Sequence, residues 1–336
     1  MLVGLARHFS PVLNKGVNQM TITHPLFRDM EETPLHHQAF LYEPLPFSIV
    51  IASYDRPNAL NVTLASLMNM KYMREIIIGL QNSDGSTCLD EYGEKLIEAY
   101  HQKGVGIYVF TSRNFIHGMK YGASKARWNT ILLLDDDIVP GTDYEHLSAH
   151  LNFPEIGAVS GTLQSPIDEG YSEWSEEPII VDPSNDLCNE FYIDDGDFTW
   201  VNKYQVYRIS DGRFYFRCKY LLGGAMFIRK ELVELFDDKL ARFDKNGDPI
   251  IVGNEIDLSF SIRKKGLTLV YDAKRIAWHL HAGEGRNRAW DRSEGLKSWN
   301  YLLKKHGLPT VDNYPKSRVM EGIKYGAIGD THFRRA

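Results

Sequence analysis

From Phe47 onward the apolar positions fall into short unbroken runs separated by amphipathic stretches. FSIVIASY is rich in Ile and Val and stops at small polar residues, and PNALNVTLASLMNM then spaces its apolar residues as a helix does, with Pro57 at the first turn. That predicts strand, loop, helix. The alternation recurs in REIIIGLQ, LDEYGEKLIEAYHQKG, VGIYVFT, HGMKYGASKARW and TILLLDDD. Strands alternating with helices predict an α/β fold with a mainly parallel sheet, right-handed crossovers and ligands bound beyond the carboxyl ends of the strands. Further along, YLLGGAMFIRKELVELF reads as strand then helix, and GNEIDLSFSIRKKG as a helix with Glu255 and Asp257 in its first turn. GLTLVYDAKRIAWHLHAG supplies the last strands, and SEGLKSWNYLLKKHG a long amphipathic helix.

Residues 1–46 carry no sustained period and several prolines and histidines, which predicts an irregular N-terminal arm. The stretch 165–200 has eleven Asp and Glu and no Lys or Arg, which reads equally as an acidic flap beside the site or as a solvated insertion. Charge is uneven: residues 272–336 hold 13 Lys and Arg against 7 Asp and Glu, and the remainder 25 against 37. A basic extension, 309–336, is therefore expected after a domain spanning 47–308. Three widely spaced cysteines offer neither a CxxC metal site nor an even disulfide framework, and the N-terminus lacks a signal peptide's apolar core. The apolar runs are strand-sized, well short of the ~20 residues that span a bilayer. A cytoplasmic protein without a transmembrane segment is expected.

ILLLDDDIVP holds the densest chemistry. Asp135, Asp136 and Asp137 repel one another at the end of a buried run, so something positive is expected beside them. Asp135 and Asp137, two residues apart at a strand's carboxyl end, suit oxygen ligation of a hard divalent cation, although acidic pairs also cap helices. His279 and His281 share one face of a strand. DKNGDPIIVGNE resembles a calcium loop, but Pro249 stands where the sharp turn requires Gly.

Six segments resemble, in order, the GT-A nucleotide-sugar glycosyltransferases, particularly family 2. They are FSIVIASYDRP, REIIIGLQNSDGST, ILLLDDDIVP, LLGGAMFIRKELVELF, GNEIDLSFSIRKKG and AWHLHAG. The resemblance implies a GT-A fold: a Rossmann-like, mainly parallel central sheet flanked by helices, with a smaller acceptor-side subregion. It implies Mn²⁺ or Mg²⁺ held by Asp135 and Asp137, with His279 or, failing that, His281 as a further contact, and Asp136 reaching the donor ribose or sugar. Ala52, Ser53, Tyr54 and Arg56 would line the nucleoside pocket, with Arg56 near the base or the phosphates. Asn82 and Asp84 are rivals for reading the base, because QNSDGS departs from the family's pair of acids, and Arg113 would contact phosphate. Gly223 and Gly224 fall on the acceptor side.

The family's catalytic base maps onto Glu255, with Asn254 in place of the preceding acid. A register two residues later would make it Asp257, and both acids also suit a helix N-terminus. The implied reaction is inverting transfer from a nucleotide-diphosphate sugar, a UDP-sugar first, to a hydroxyl on a glycan or lipid-linked glycan, with nucleic acid a more distant candidate. A nucleotidyltransferase shares the plan, but ASYDRPNAL lacks its Gly-rich loop and Lys. A non-catalytic sugar- or nucleotide-binding module would not need Asp135, Asp137 and Glu255 together.

Overall fold

A computed structural model describes residues 42–81, 89–112, 114–164, 179–181, 190–194, 197–202, 207–209, 215–217, 220–221, 224–243, 247, 249–250, 253–280, 292–308, 310–312 and 316–319. The first half alternates as the sequence predicts: β1 (Phe47–Tyr54), α1 (Pro57–Leu67), β2 (Met73–Gln81), α2 (Glu91–Gln102), β3 (Gly106–Phe110), α3 (Phe115–Lys125) and β4 (Thr130–Asp135). A short strand, β5 (Ile138–Pro140), a 3-10 helix (Tyr144–Asn152) and β6 (Ile156–Gln164) follow. Four short strands come next, β7 (Ile179–Val181), β8 (Glu190–Asp194), β9 (Asp197–Asn202) and β10 (Tyr207–Ile209), then β11 (Tyr215–Arg217) and β12 (Ala225–Arg229). The rest comprises β13 (Arg242–Phe243), β14 (Pro249–Ile250), α4 (Asn254–Lys264), β15 (Thr268–His279), α5 (Arg292–Lys305) and β16 (Lys316–Val319).

The main sheet runs β3-β2-β1-β4-β12-β6-β15-β11, with β5 paired to β15. Only β12 and β11 oppose the common direction along that path, so the sheet is mostly parallel. Its strands read as continuous apolar runs because both faces are covered. Ile49, Ile51, Leu132, Leu134 and Phe227 pack with α1 on one face, whereas Val50, Ile131, Leu133, Met226 and Ile228 pack with α3 and α4 on the other. Each fully buried Ile or Leu of this set contributes roughly 1.5–3 kcal/mol. Among the described residues no helix is long and apolar enough to cross a membrane.

The helix expected over KELVEL is a 3-10 helix, Lys230–Leu235. In the basic extension, β16 pairs in parallel with β9 in a three-stranded sheet. The arm 1–41, most of the insertion and residues 320–336 lie outside the described residues.

β15 is one long strand whose register shifts between Asp272 and Ile276, which lets its second half pair with β5 as well as β6. Gly161 makes that shift possible. A Cβ there would lie 2.2 Å from the Arg275 carbonyl oxygen and 2.8 Å from the Tyr144 ring. Tyr144 in turn accepts from the Gly161 N–H at 3.1 Å and donates to the Ala225 carbonyl at 2.8 Å. Gly161→Ala is therefore expected to lower stability by about 1–3 kcal/mol, read as a lower urea midpoint with an unchanged slope; a midpoint equal to that of the parent would contradict the tight approach.

Candidate active site

The site begins with the pairing of β1 and β4, where Ala52 stands opposite Asp135. Beyond β1 the chain turns at Asp55, whose φ of 58° lies in the left-handed region that Asp tolerates better than most residues. Pro57 then opens α1. This turn sends Arg56 back over the acids: Nη1 donates to Asp136 Oδ1 at 2.8 Å and Nη2 to Asp137 Oδ2. Ser53 Oγ donates to Asp136 Oδ2 at 2.6 Å, and Thr63 Oγ1 donates to the Asp136 carbonyl at 2.8 Å.

β15 supplies the other positive group. Its antiparallel ladder sets His279 opposite Ile138, and the Leu280 N–H donates to the Asp137 carbonyl at 2.9 Å. That brings His279 Nε2 to 3.2 Å from Asp137 Oδ2. Burial alone would raise the Asp137 pKa, but His279 and Arg56 outweigh it and hold the carboxyl below its usual range. His279 shifts upward, its own burial being outweighed by Asp137 and Asp135. Arg56 likewise stays firmly charged, because Asp136 and Asp137 overcome its desolvation.

Asp135 has no such partner among these contacts. Its N–H donates to the Gly224 carbonyl at 2.9 Å, which ties the segment before β12 to the end of β4. Burial, then Asp137, then Glu255 push its carboxyl pKa up to about 8. Glu255 sits in the first turn of α4, after Gly253 at a φ of 64°, and burial raises its pKa too, against an opposing bond from its own N–H. Two acids near one another, each disfavoured as an anion, form a pocket that attracts positive charge.

Three of the expected site residues take part in contacts within the protein. Asp136 is 3% exposed and accepts from Ser53 and Arg56. Ser53, also 3% exposed, donates one of those bonds. Asp257 is fully buried and faces α5, where Lys305 Nζ lies 2.8 Å from Oδ2 and His306 Nε2 2.7 Å from Oδ1. Lys305 also reaches Asp237 at 2.9 Å, and Tyr301 donates to Asp237 at 2.7 Å. Burial lowers the His306 pKa despite Asp257. Asp257 thus anchors α4 and leaves Glu255 as the acid near Asp135.

Ala52 and Tyr54 are half-buried at the carboxyl end of β1. Asn82, Asp84, Arg113, Gly223 and His281 lie outside the described residues. Sequence reasoning missed the two ion-pair partnerships: Arg56 with Asp136 and Asp137, and Lys305 and His306 with Asp257. The signal for the first was present, since three consecutive acids demanded a cation and Arg56 ends the neighbouring strand's turn. The second had no local signal.

Among the described residues no group of three or more His, Cys, Asp or Glu side chains is arranged to hold a metal ion. The donor set nevertheless suits a hard divalent cation: burial and the neighbouring acids disfavour the Asp135 anion, which a bound cation would favour, and Asp137 and His279 meet close by.

A sequence model of the family described as "Glycosyltransferase like family 2" matches residues 44–298. The chain belongs to that family. Over 110 residues it is 32% identical to hyaluronan synthase of Pasteurella multocida, a match covering 31% of this chain and 11% of that protein. Its fold is similar to that of GalNAc-T7 solved with UDP, GalNAc and Mn²⁺, with a TM-score of 0.56 and 17% identity over 78% of this chain and 48% of that one. A mannosyltransferase of Pyrobaculum calidifontis, in complex with GDP-Man and Mn²⁺, aligns with a TM-score of 0.44 and 13% identity over 79% of this chain and 63% of that one. The chain thus spans about a tenth of the curated relative and half of the first solved structure, and its fold is GT-A as the sequence implied.

The two α4 acids should separate in stability measurements. Asp257→Ala breaks a buried pair and should cost about 3 kcal/mol, whereas Glu255→Gln removes a carboxylate that burial already disfavours and should leave the melting temperature unchanged or slightly higher. Equal losses in calorimetry would contradict the division of roles.

Proposed function

We propose that the chain transfers a sugar, with inversion, from a nucleotide-diphosphate sugar to a hydroxyl acceptor. The observation that carries this reading is the contact of Asp137 with His279, made where the ends of β4 and β15 come together, with Asp135 near enough to both, and Glu255 to Asp135, for their charges to interact. Asp135 and Asp137, with His279, would hold Mn²⁺ or Mg²⁺. That ion, when bound, supplies the positive charge that stabilises a departing diphosphate.

Glu255 takes the proton from the acceptor hydroxyl as that oxygen attacks the anomeric carbon from the face opposite the leaving diphosphate. Burial raises its proton affinity, which brings a carboxylate closer to the strength a general base needs. Ala52 and Tyr54, with Asn82 or Asp84 and Arg113, are assigned to the nucleoside and phosphates. Gly223 and Gly224 are assigned to the acceptor side, with a glycan or lipid-linked glycan as acceptor. GalNAc-T7, to which the fold is similar, was solved with UDP, GalNAc and Mn²⁺, and UDP is accordingly the first nucleotide to test. Residues 47–308 are taken as the catalytic unit, in a cytoplasmic setting.

A thermal-shift panel of UDP, GDP, TDP, ADP and CMP, each with Mn²⁺ and with EDTA, tests the donor site. One nucleotide should stabilise the protein only with metal, and Asp135→Asn should abolish the shift; a ligand at 100 times its Kd adds ~2.7 kcal/mol. No nucleotide shift, or one indifferent to EDTA, would remove the metal-assisted reading. Glu255→Gln should keep the nucleotide shift while turnover of the matching sugar donor falls by about 10²–10⁴-fold. In the parent enzyme the acid limb of kcat/KM should lie above the ordinary Glu range, because the deprotonated base is lost as pH falls through a raised pKa. Full turnover in the Gln variant would remove the base assignment.

A further inference from the structure

We infer that Arg56 is an internal counter-ion that competes with the divalent cation for Asp137 and passes to the donor's diphosphate when cation and donor bind together. The inference rests on the donor-site reading above and adds a device that couples the two ligands. Its basis is the set of contacts at one carboxylate. Asp137, 2% exposed, already meets the Arg56 guanidinium and the His279 ring, while the same guanidinium grips Asp136. A cation that takes an Asp137 oxygen must displace a charge-assisted hydrogen bond and then sit beside a guanidinium of like charge.

The geometry gives Arg56 somewhere to go. Its backbone is fixed between the left-handed turn at Asp55 and Pro57, and its carbonyl accepts from the Leu60 N–H at 3.0 Å. The side chain is not sealed in: it is 25% exposed, against 4% for Asp136 and 3% for Asp137. Rotation about its own torsions therefore frees the fork without moving β1 or α1. Asp136 keeps a partner when the fork leaves, because Ser53 Oγ donates to it at 2.6 Å. A planar five-donor fork released at the mouth of a cation-and-diphosphate site matches phosphate oxygens. Cation and nucleotide each then ease the other's entry, one by displacing Arg56 and the other by receiving it. By linkage the coupling is reciprocal.

Titration calorimetry separates this device from a fixed structural clamp. MnCl₂ alone is titrated into the parent protein, Arg56→Gln, Arg56→Lys and the control Asp135→Asn, and UDP is then titrated at saturating Mn²⁺. Removing the competitor should tighten Mn²⁺ binding to Arg56→Gln by about tenfold, the scale of one hydrogen bond to a charged group. UDP binding should weaken by about the same factor, since the diphosphate loses its fork. Arg56→Lys, which keeps a charge but not the fork, should show both changes to a smaller extent and serves if the Gln variant folds poorly. The opposite signs matter, because a damaged fold would weaken both ligands.

Unchanged or weaker Mn²⁺ binding in the Arg56 variants, with Asp135→Asn still losing it, would overturn the competition and make Arg56 a permanent clamp. Binding of Mn²⁺ by none of the proteins would remove the cation site itself, a failure of the donor-site reading recognisable because it appears already in the parent protein.

Discussion

Three consecutive carboxylates at the end of a buried strand set the terms for everything around them. Left unpaired, they would lift the end of β4 out of the sheet or stay protonated. The fold answers each differently. Asp136 is held by Ser53 and Arg56, Asp137 is shared between Arg56 and His279, and Asp135 is left as the acid whose ionisation burial and its acidic neighbours oppose most. That unequal treatment turns a run of like charges into a site with a direction. The turn at Asp55, the long-range antiparallel pairing of β5 with β15 and the register shift admitted by Gly161 deliver those partners.

A second electrostatic centre holds the opposite wall. α4 is short and begins on a left-handed glycine, so its first turn depends on what it packs against. Trp299 and Leu302 of α5 lie within van der Waals reach of Gly253, and Lys305 and His306 close on Asp257. Two acids two residues apart on one helix therefore have opposite fates. Asp257 is locked into the protein, and Glu255, turned about 200° around the axis, is left to act on the cluster at β4.

Much of the architecture was legible in the sequence because the physics that produces it is local. The strand and helix alternation from Phe47 to Asp135 follows from unbroken apolar runs set between amphipathic segments, and that alternation implies the mainly parallel sheet. Asp135 and Asp137 could be nominated from residue type and their place at a strand end, whereas His279 and Glu255 were singled out by the resemblance to the family's motifs. What stayed illegible depended on contacts between distant segments. Asp136 looked as available as its neighbours until Ser53, 83 positions away, was found to hold it. Asp257 looked as good a base as Glu255 because Lys305 and His306 lie 48 and 49 positions further on. Arg56 was placed near the base or phosphates by the resemblance of FSIVIASYDRP to the family's first strand, and its ion pairs with two aspartates were the part no local pattern encodes. The pairing of β16 with β9, which joins a basic segment to an acidic one, was hidden for the same reason.

The central claim is that the end of β4 is where cation and nucleotide meet. A crystal structure of the protein grown with Mn²⁺ and UDP, read through the anomalous scattering of manganese, tests it most directly. The account predicts a single strong manganese peak contacting Asp135 and Asp137, with the UDP diphosphate beside it and the Arg56 guanidinium turned from Asp137 toward the phosphates. A peak elsewhere, or UDP bound with Arg56 still joined to both Asp136 and Asp137, would contradict it.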